Sequence, residues 1–167
     1  MCELKKDAIQ ADAWRPTQTS EKKNPVERML NLALATSLNQ YQFYLDASST
    51  VQTDEMKELL LFLAKSEEAI IDKIESMMFT GIVDAVEEAR TIEVEEPDET
   101  PFDLMRAEVD PRLFVCNRAL KIALSAYTFY LSIAARAHSP VISRLFQYLV
   151  FSKAEQIKMI RSVCESF

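Results

Sequence analysis

ALATSLNQYQFYL at residues 33–45 and ALKIALSAYTFYL at residues 119–131 are two versions of one segment, 86 positions apart. Extending the comparison without a gap pairs Pro25 with Pro111 and Asn31 with Asn117. Further along it pairs Leu59, Leu63, Ser66, Ile71, Ile74 and Ser76 with Leu145, Leu149, Ser152, Ile157, Ile160 and Ser162. The total is 15 identities over the 54 positions from 25 to 78. Composition alone would give roughly one match in fifteen, so the chain reads as an internal repeat.

Each copy contains two segments whose apolar residues recur at alternating steps of three and four, the spacing of helices that bury one stripe. Start signals stand before all four segments: Asn24-Pro25, Thr53-Asp54, Asp110-Pro111 and Ser139-Pro140. Each supplies a capping side chain, and in three of them proline takes the first helical position, where its missing N–H costs nothing. The expected helices cover residues 25–51, 54–80, 111–137 and 140–165, with Gly81 closing the second. Connections of a few residues force each pair into an antiparallel hairpin. Between the pairs, residues 82–109 form a long acidic crossover containing TIEVEEPDET, with short helices expected near 83–90 and 102–108. Residues 1–23 read as a loosely ordered polar arm around Trp14. The fold class is therefore all-α, a single domain over 24–167 in which two hairpins bury their apolar sides against each other.

Composition narrows the function. One glycine in 167 residues removes the phosphate-cradling and dinucleotide-binding loops, which depend on glycine. A net charge of -7 repels nucleic acid and anionic membrane surfaces. No apolar run approaches the roughly 18 residues of a membrane span, and the chain is expected to be cytoplasmic. Cys2, Cys116 and Cys164 are odd in number and form no CxxC pair, so neither a disulfide framework nor a zinc site is expected. Cys116 and Cys164 read as small hydrophobes, with Cys2 exposed near the terminus.

Polar residues interrupt the inner stripes. The second helix reads Met56, Leu60, Leu63, Glu67, Ile70, Ile74, Met77, and the fourth Ile142, Phe146, Leu149, Lys153, Gln156, Ile160, Val163. The first reads Leu30, Ala33, Ser37, Tyr41, Tyr44, and the third Cys116, Leu120, Ala123, Tyr127, Tyr130. Glu67 and Lys153 are 86 residues apart, so a pseudo-twofold axis brings them together. Burying either charge alone is costly, and contact offsets part of that cost. The two are expected to form an interior ion pair, with Ser37 and Gln156 as hydrogen-bond partners; the alternative is a catalytic acid or base at either position. The four stripe tyrosines are core by default or electron relays beside a metal.

The segments AxxLNQYQFYLDA and LLLFLAKSEEAIIDKIE, with their repeats ALKIALSAYTFYLS and LFQYLVFSKAEQIKMI, resemble the ferritin-like superfamily and, within it, the rubrerythrin-type di-iron proteins. The likeness spans residues 24–166. It implies a four-helix bundle in which each half supplies a glutamate six residues before the Phe of the Phe-Tyr pair and an ExxH motif, together caging two irons. Laid on this chain, those glutamates become Ser37 and Ala123. The first ExxH becomes Glu67 to Ile70, and the second Lys153 to Gln156. Only Glu67 keeps a ligand's identity, so Ser37, Glu67, Ile70, Ala123, Lys153 and Gln156 are vestigial ligand positions, with no metal or cofactor expected and no catalytic residue assigned. His138, the only histidine, precedes the fourth helix.

The expected function is a ferritin-like protein without a classical di-iron centre, serving a structural or interaction role. The alternatives are a redox or iron-handling protein with an unorthodox site near Glu67, and small-molecule binding in the vacated cavity. A homodimer, which the resemblance implies, would cover Phe43, Leu45, Phe129 and Leu131; packing under the crossover would cover them equally well. The acidic run reads as a solvated linker, or as a recruiter of a basic partner or of loosely bound cations.

Overall fold

The computed structural model describes residues 25–80 and 94–167. Among them are five helices and no strand: α1 (Pro25–Thr50), α2 (Asp54–Thr80), α3 (Leu104–Ala107), α4 (Pro111–Arg136) and α5 (Pro140–Cys164). The arm at 1–23, the stop at Gly81 and the helix expected near 83–90 lie outside the described residues.

Local chemistry sets the helix starts. Asp110 accepts a hydrogen bond from the Arg112 amide at 3.0 Å, with Pro111 in the first position of α4. Ser139 caps α5 in the same manner, again with proline following. Asp103 accepts from the amides of Met105 and Arg106 and so nucleates the single turn of α3, the part of the expected 102–108 helix that forms. Thr53 departs from expectation. Its carbonyl accepts from the Lys57 amide, but its hydroxyl is buried and caps nothing.

The α1/α2 and α4/α5 connections, 51–53 and 137–139, are too short for anything but antiparallel neighbours, and each pair packs along its length. The hairpins then meet through α2 against α5 and α1 against α4. Burial follows the 86-residue offset. Ala33 and Ala119, Tyr44 and Tyr130, Leu63 and Leu149, and Ile74 and Ile160 are all buried, as are the non-identical pairs Leu60 with Phe146 and Glu67 with Lys153. The stripe of α1 runs Leu30, Ala33, Ser37, Gln40, Tyr44, Ser48, so Gln40 faces inward where Tyr41 was expected, and Tyr41 is only half-buried. On α5, Cys164 is buried and the expected Val163 is half-buried.

The cysteine expectation is overturned. Cys116 and Cys164 are buried, as small hydrophobes would be, but they are joined in a disulfide with their Cα atoms 6.1 Å apart. Their separation of 48 residues carries no local signal. The bond exists because an antiparallel hairpin sets the second turn of α4 beside the last turn of α5.

The described end of the crossover, 94–103, is tied down by two side chains. Asn117 imitates a backbone strand partner: its amide oxygen accepts from the Phe102 N–H at 2.8 Å, and its amide nitrogen donates to the Phe102 carbonyl at 3.2 Å. Arg161 donates to the carbonyls of Asp98 and Thr100, pairs with the Asp98 carboxylate at 3.2 Å, and lies over the Phe102 ring. No described helix is long and apolar enough to cross a membrane.

Candidate functional site

The middle of the bundle holds a layer of polar side chains that no solvent reaches. Ser37, Glu67 and Lys153 have no exposed surface, and Gln156 is 1% exposed. Helical spacing delivers them: Ser37 and Gln40 are one turn apart on α1, Lys153 and Gln156 one turn apart on α5, and Glu67 projects from α2.

Lys153 is the hub. Its Nζ is in direct contact with Glu67 Oε1, donates to Gln40 Oε1 at 2.5 Å and to Gln156 Oε1 at 3.2 Å. An ammonium has three hydrogens to donate, and here each has an acceptor. Gln156 turns its amide nitrogen the other way, donating to Glu67 Oε1 at 3.0 Å and to Ser66 Oγ at 2.9 Å. Burial pushes the Lys153 pKa well below the usual lysine range. The carboxylate at contact and the two amide oxygens work the other way, favouring the charged form.

Around this hub, four polar atoms stand without a hydrogen-bond partner among the described residues: Glu67 Oε2, Ser37 Oγ and the hydroxyls of Tyr44 and Tyr130. Burial raises the pKa of Tyr44, and also that of Tyr130, whose neighbour Ser37 pulls in the opposite direction. The Ser37 hydroxyl of α1 is thus a close neighbour of the Tyr130 hydroxyl of α4, without a well-formed hydrogen bond between them.

The structure brings Glu67, Lys153 and Gln156 together and places Ser37 beside Tyr130; Ala123 and Ile70 are buried with apolar surroundings to share. His138 lies in the α4/α5 connection, away from this layer. Two members escape the sequence reading. Gln40 lies on the three-four stripe between Ser37 and Tyr44, and its spacing could have found it; the neighbouring aromatic Tyr41 was the more conspicuous candidate. Ser66 precedes Glu67 on a half-buried face and carries no such signal.

This donor set does not suit a pair of ferrous ions. Their four positive charges would meet one carboxylate and a competing ammonium. Among the described residues no group of three or more His, Cys, Asp and Glu side chains is placed to hold a metal ion. What the arrangement does is satisfy a buried cation from within: Lys153 sits where its charge is matched by Glu67 and its hydrogens by two glutamines.

Compared with known proteins, the chain matches no family model, no curated protein and no solved structure.

Proposed function

We propose that this chain is a ferritin-like bundle of the rubrerythrin type that has exchanged its metal centre for an internal ion pair, and that it works as a non-catalytic interaction protein. The observation that carries this reading is the Lys153 ammonium, fully buried and bonded to Gln40, Glu67 and Gln156. Glu67 and Lys153 are equivalent positions of the repeat, and Gln156 is the equivalent of Ile70. Under the resemblance, these same positions are the ones that would have held iron. Protonated, a lysine there supplies positive charge where a metal would otherwise bring it, and the surrounding acceptors engage all three of its ammonium hydrogens.

Association with a second copy fits the outward residues of α1 and α4. Leu38 and Leu131 are each 46% exposed, while Phe43, Leu45 and Phe129 pack partly against the core. The setting in which the protein works is better read from the Cys116–Cys164 bond than from composition. Such bonds persist under oxidising conditions, so this bond favours an oxidising setting, whereas the sequence alone favours the cytoplasm.

A second reading, a small polar guest held in the core, is favoured by the unpartnered Ser37, Tyr44, Glu67 and Tyr130 oxygens, since buried polar groups ordinarily find partners.

The deciding experiment is elemental analysis and absorption spectroscopy of the full chain, purified without chelator and then offered ferrous iron under air. Substoichiometric iron with no oxo-bridge absorption is expected. About two irons per chain, the complement of the di-iron cage, would overturn the proposal.

A further inference from the structure

Segment 94–103 lies along the outer side of the second hairpin. Asn117 brackets the Phe102 peptide, Arg161 holds Asp98 and Thr100, and Glu99 stands beside Leu124. Glu96 and Glu99 are within electrostatic reach of Tyr127. Under this cover Leu120 is 2% and Tyr127 6% exposed, and Leu124 is half-buried.

The first hairpin repeats this surface with less cover. Asn31, Leu34, Leu38 and Tyr41 are identical to Asn117, Leu120, Leu124 and Tyr127. Leu34 and Tyr41 are only half-buried, and Leu38 is 46% exposed. The Asn31 side chain has no hydrogen-bond partner among the described residues. An amide able to bracket a peptide, with an apolar row beside it, makes a seat for an extended segment.

Charge and reach point to the chain's own arm. Arg161, which holds the acidic crossover, has Glu75 as its counterpart, so the occupant of the first seat must bring donors or positive charge. VEEPDETPFD at 94–103 carries five acids and no base, whereas AIQADAWRPT at 8–17, equally far ahead of its helix, carries one of each. Strict offset sets Pro16, which has no N–H, opposite Asn31. A shift of two residues, the repeat of an extended chain, keeps the same side inward and brings Trp14 to the place of Phe102, aromatic for aromatic.

We propose that residues 8–17 dock as an extended segment on the outer side of α1 and α2 of the same chain, with Trp14 bracketed by Asn31 and Arg15 beside Glu75. Leu38 is then covered by the arm, and Leu131 on α4 stays open to a second copy. The inference stands on the repeat and not on the reading of the central layer.

Trp14 is the single tryptophan and so reports its own surroundings. Acrylamide quenching of its fluorescence in the full-length chain should be several-fold slower in the folded protein than in urea, at every protein concentration. Asn31→Ala, Leu38→Asp and Glu75→Lys should each move quenching toward the unfolded rate. Glu155→Lys, the same charge change at an exposed position of α5, should not. Far-ultraviolet circular dichroism checks that each variant keeps its helices. Quenching as fast in the folded chain as in urea would overturn the proposal and leave the seat to a separate partner. Protection that vanishes on dilution would overturn it in favour of a second copy's arm. Protection untouched by all three groove changes would also overturn it, placing Trp14 elsewhere.

Discussion

Tyr44 of the first hairpin and Tyr130 of the second occupy equivalent positions and are equally buried, yet the layer each phenol meets differs. Ser37 stands near Tyr130, whereas the counterpart of Ser37 is Ala123. The same inequality recurs through the bundle. Glu67 faces its counterpart Lys153, Gln156 matches Ile70, and Gln40 matches Ala126. Cys116 and Cys164 are bonded in the second hairpin, while Leu30 and Met78 hold those places in the first. The shared residues are those that build the frame: alanines where helices approach, leucines and isoleucines in the stripe, aromatics at the hairpin's middle. The departures from the repeat carry the chemistry. Two glutamates or two lysines in contact at these positions would repel each other; opposite charges there close the core.

The largest consequence follows from that pair. Lys153→Met leaves Glu67 buried without its counter-charge and Glu67→Gln does the converse, so each should lower unfolding stability by roughly 3–5 kcal/mol in denaturant titrations. If either is neutral, the two halves do not meet through these charges.

Next comes the asymmetry of the second hairpin. Cys116→Ala with Cys164→Ala should cost about 2–4 kcal/mol, chiefly because the unfolded chain regains the freedom of a 48-residue loop. Hydrogen exchange should report faster opening at the start of α4 and the end of α5, with the α1/α2 hairpin less affected. Equal acceleration in both would mean that the hairpins are held by one common core alone.

Arg161 gives a third contrast, since nothing on α2 repeats it: its counterpart is Glu75. Arg161→Ala should destabilise by about 2 kcal/mol and admit protease cleavage within 94–103. Asp98, part of the same clamp, has its pKa held below the usual carboxylate range by hydrogen bonds from Thr100, with Arg161 adding to them. Its contribution is therefore complete above the ordinary aspartate pKa and is lost as pH falls through the lower folded value. Asp98→Asn should flatten that acid limb.

The smallest effect separates the two tyrosines. Tyr44→Phe removes a buried hydroxyl that has no partner among the described residues and should be neutral or stabilising by up to about 1 kcal/mol. Tyr130→Phe, beside Ser37, should be the less favourable of the two. Reversal of that order would show that Tyr44, not Tyr130, has the better-solvated environment in the core.

Much of the frame is legible in the sequence because its causes are local. Asp110 and Ser139 announce α4 and α5 through the prolines that follow them, and the three-residue connections permit only antiparallel neighbours. The meeting of Glu67 with Lys153 is also legible, since an 86-residue offset together with the cost of a buried charge implies it. Gln40 is lost because a periodic stripe can be drawn through either of two adjacent residues, and an aromatic outweighs an amide when hydrophobicity chooses. The Cys116–Cys164 bond depends on how separate helix ends are juxtaposed, and no spacing along the chain encodes that.

The central claim is that the buried charges of Glu67 and Lys153 are held by each other, and a double-mutant cycle tests it most directly. Stability would be measured for the natural chain, Glu67→Gln, Lys153→Met and the two changes together. The expected result is that the double variant recovers much of the loss seen in each single one, because an uncharged layer leaves no orphaned charge. Losses that simply add would contradict the account, showing that the two charges are held by their separate surroundings and not by each other.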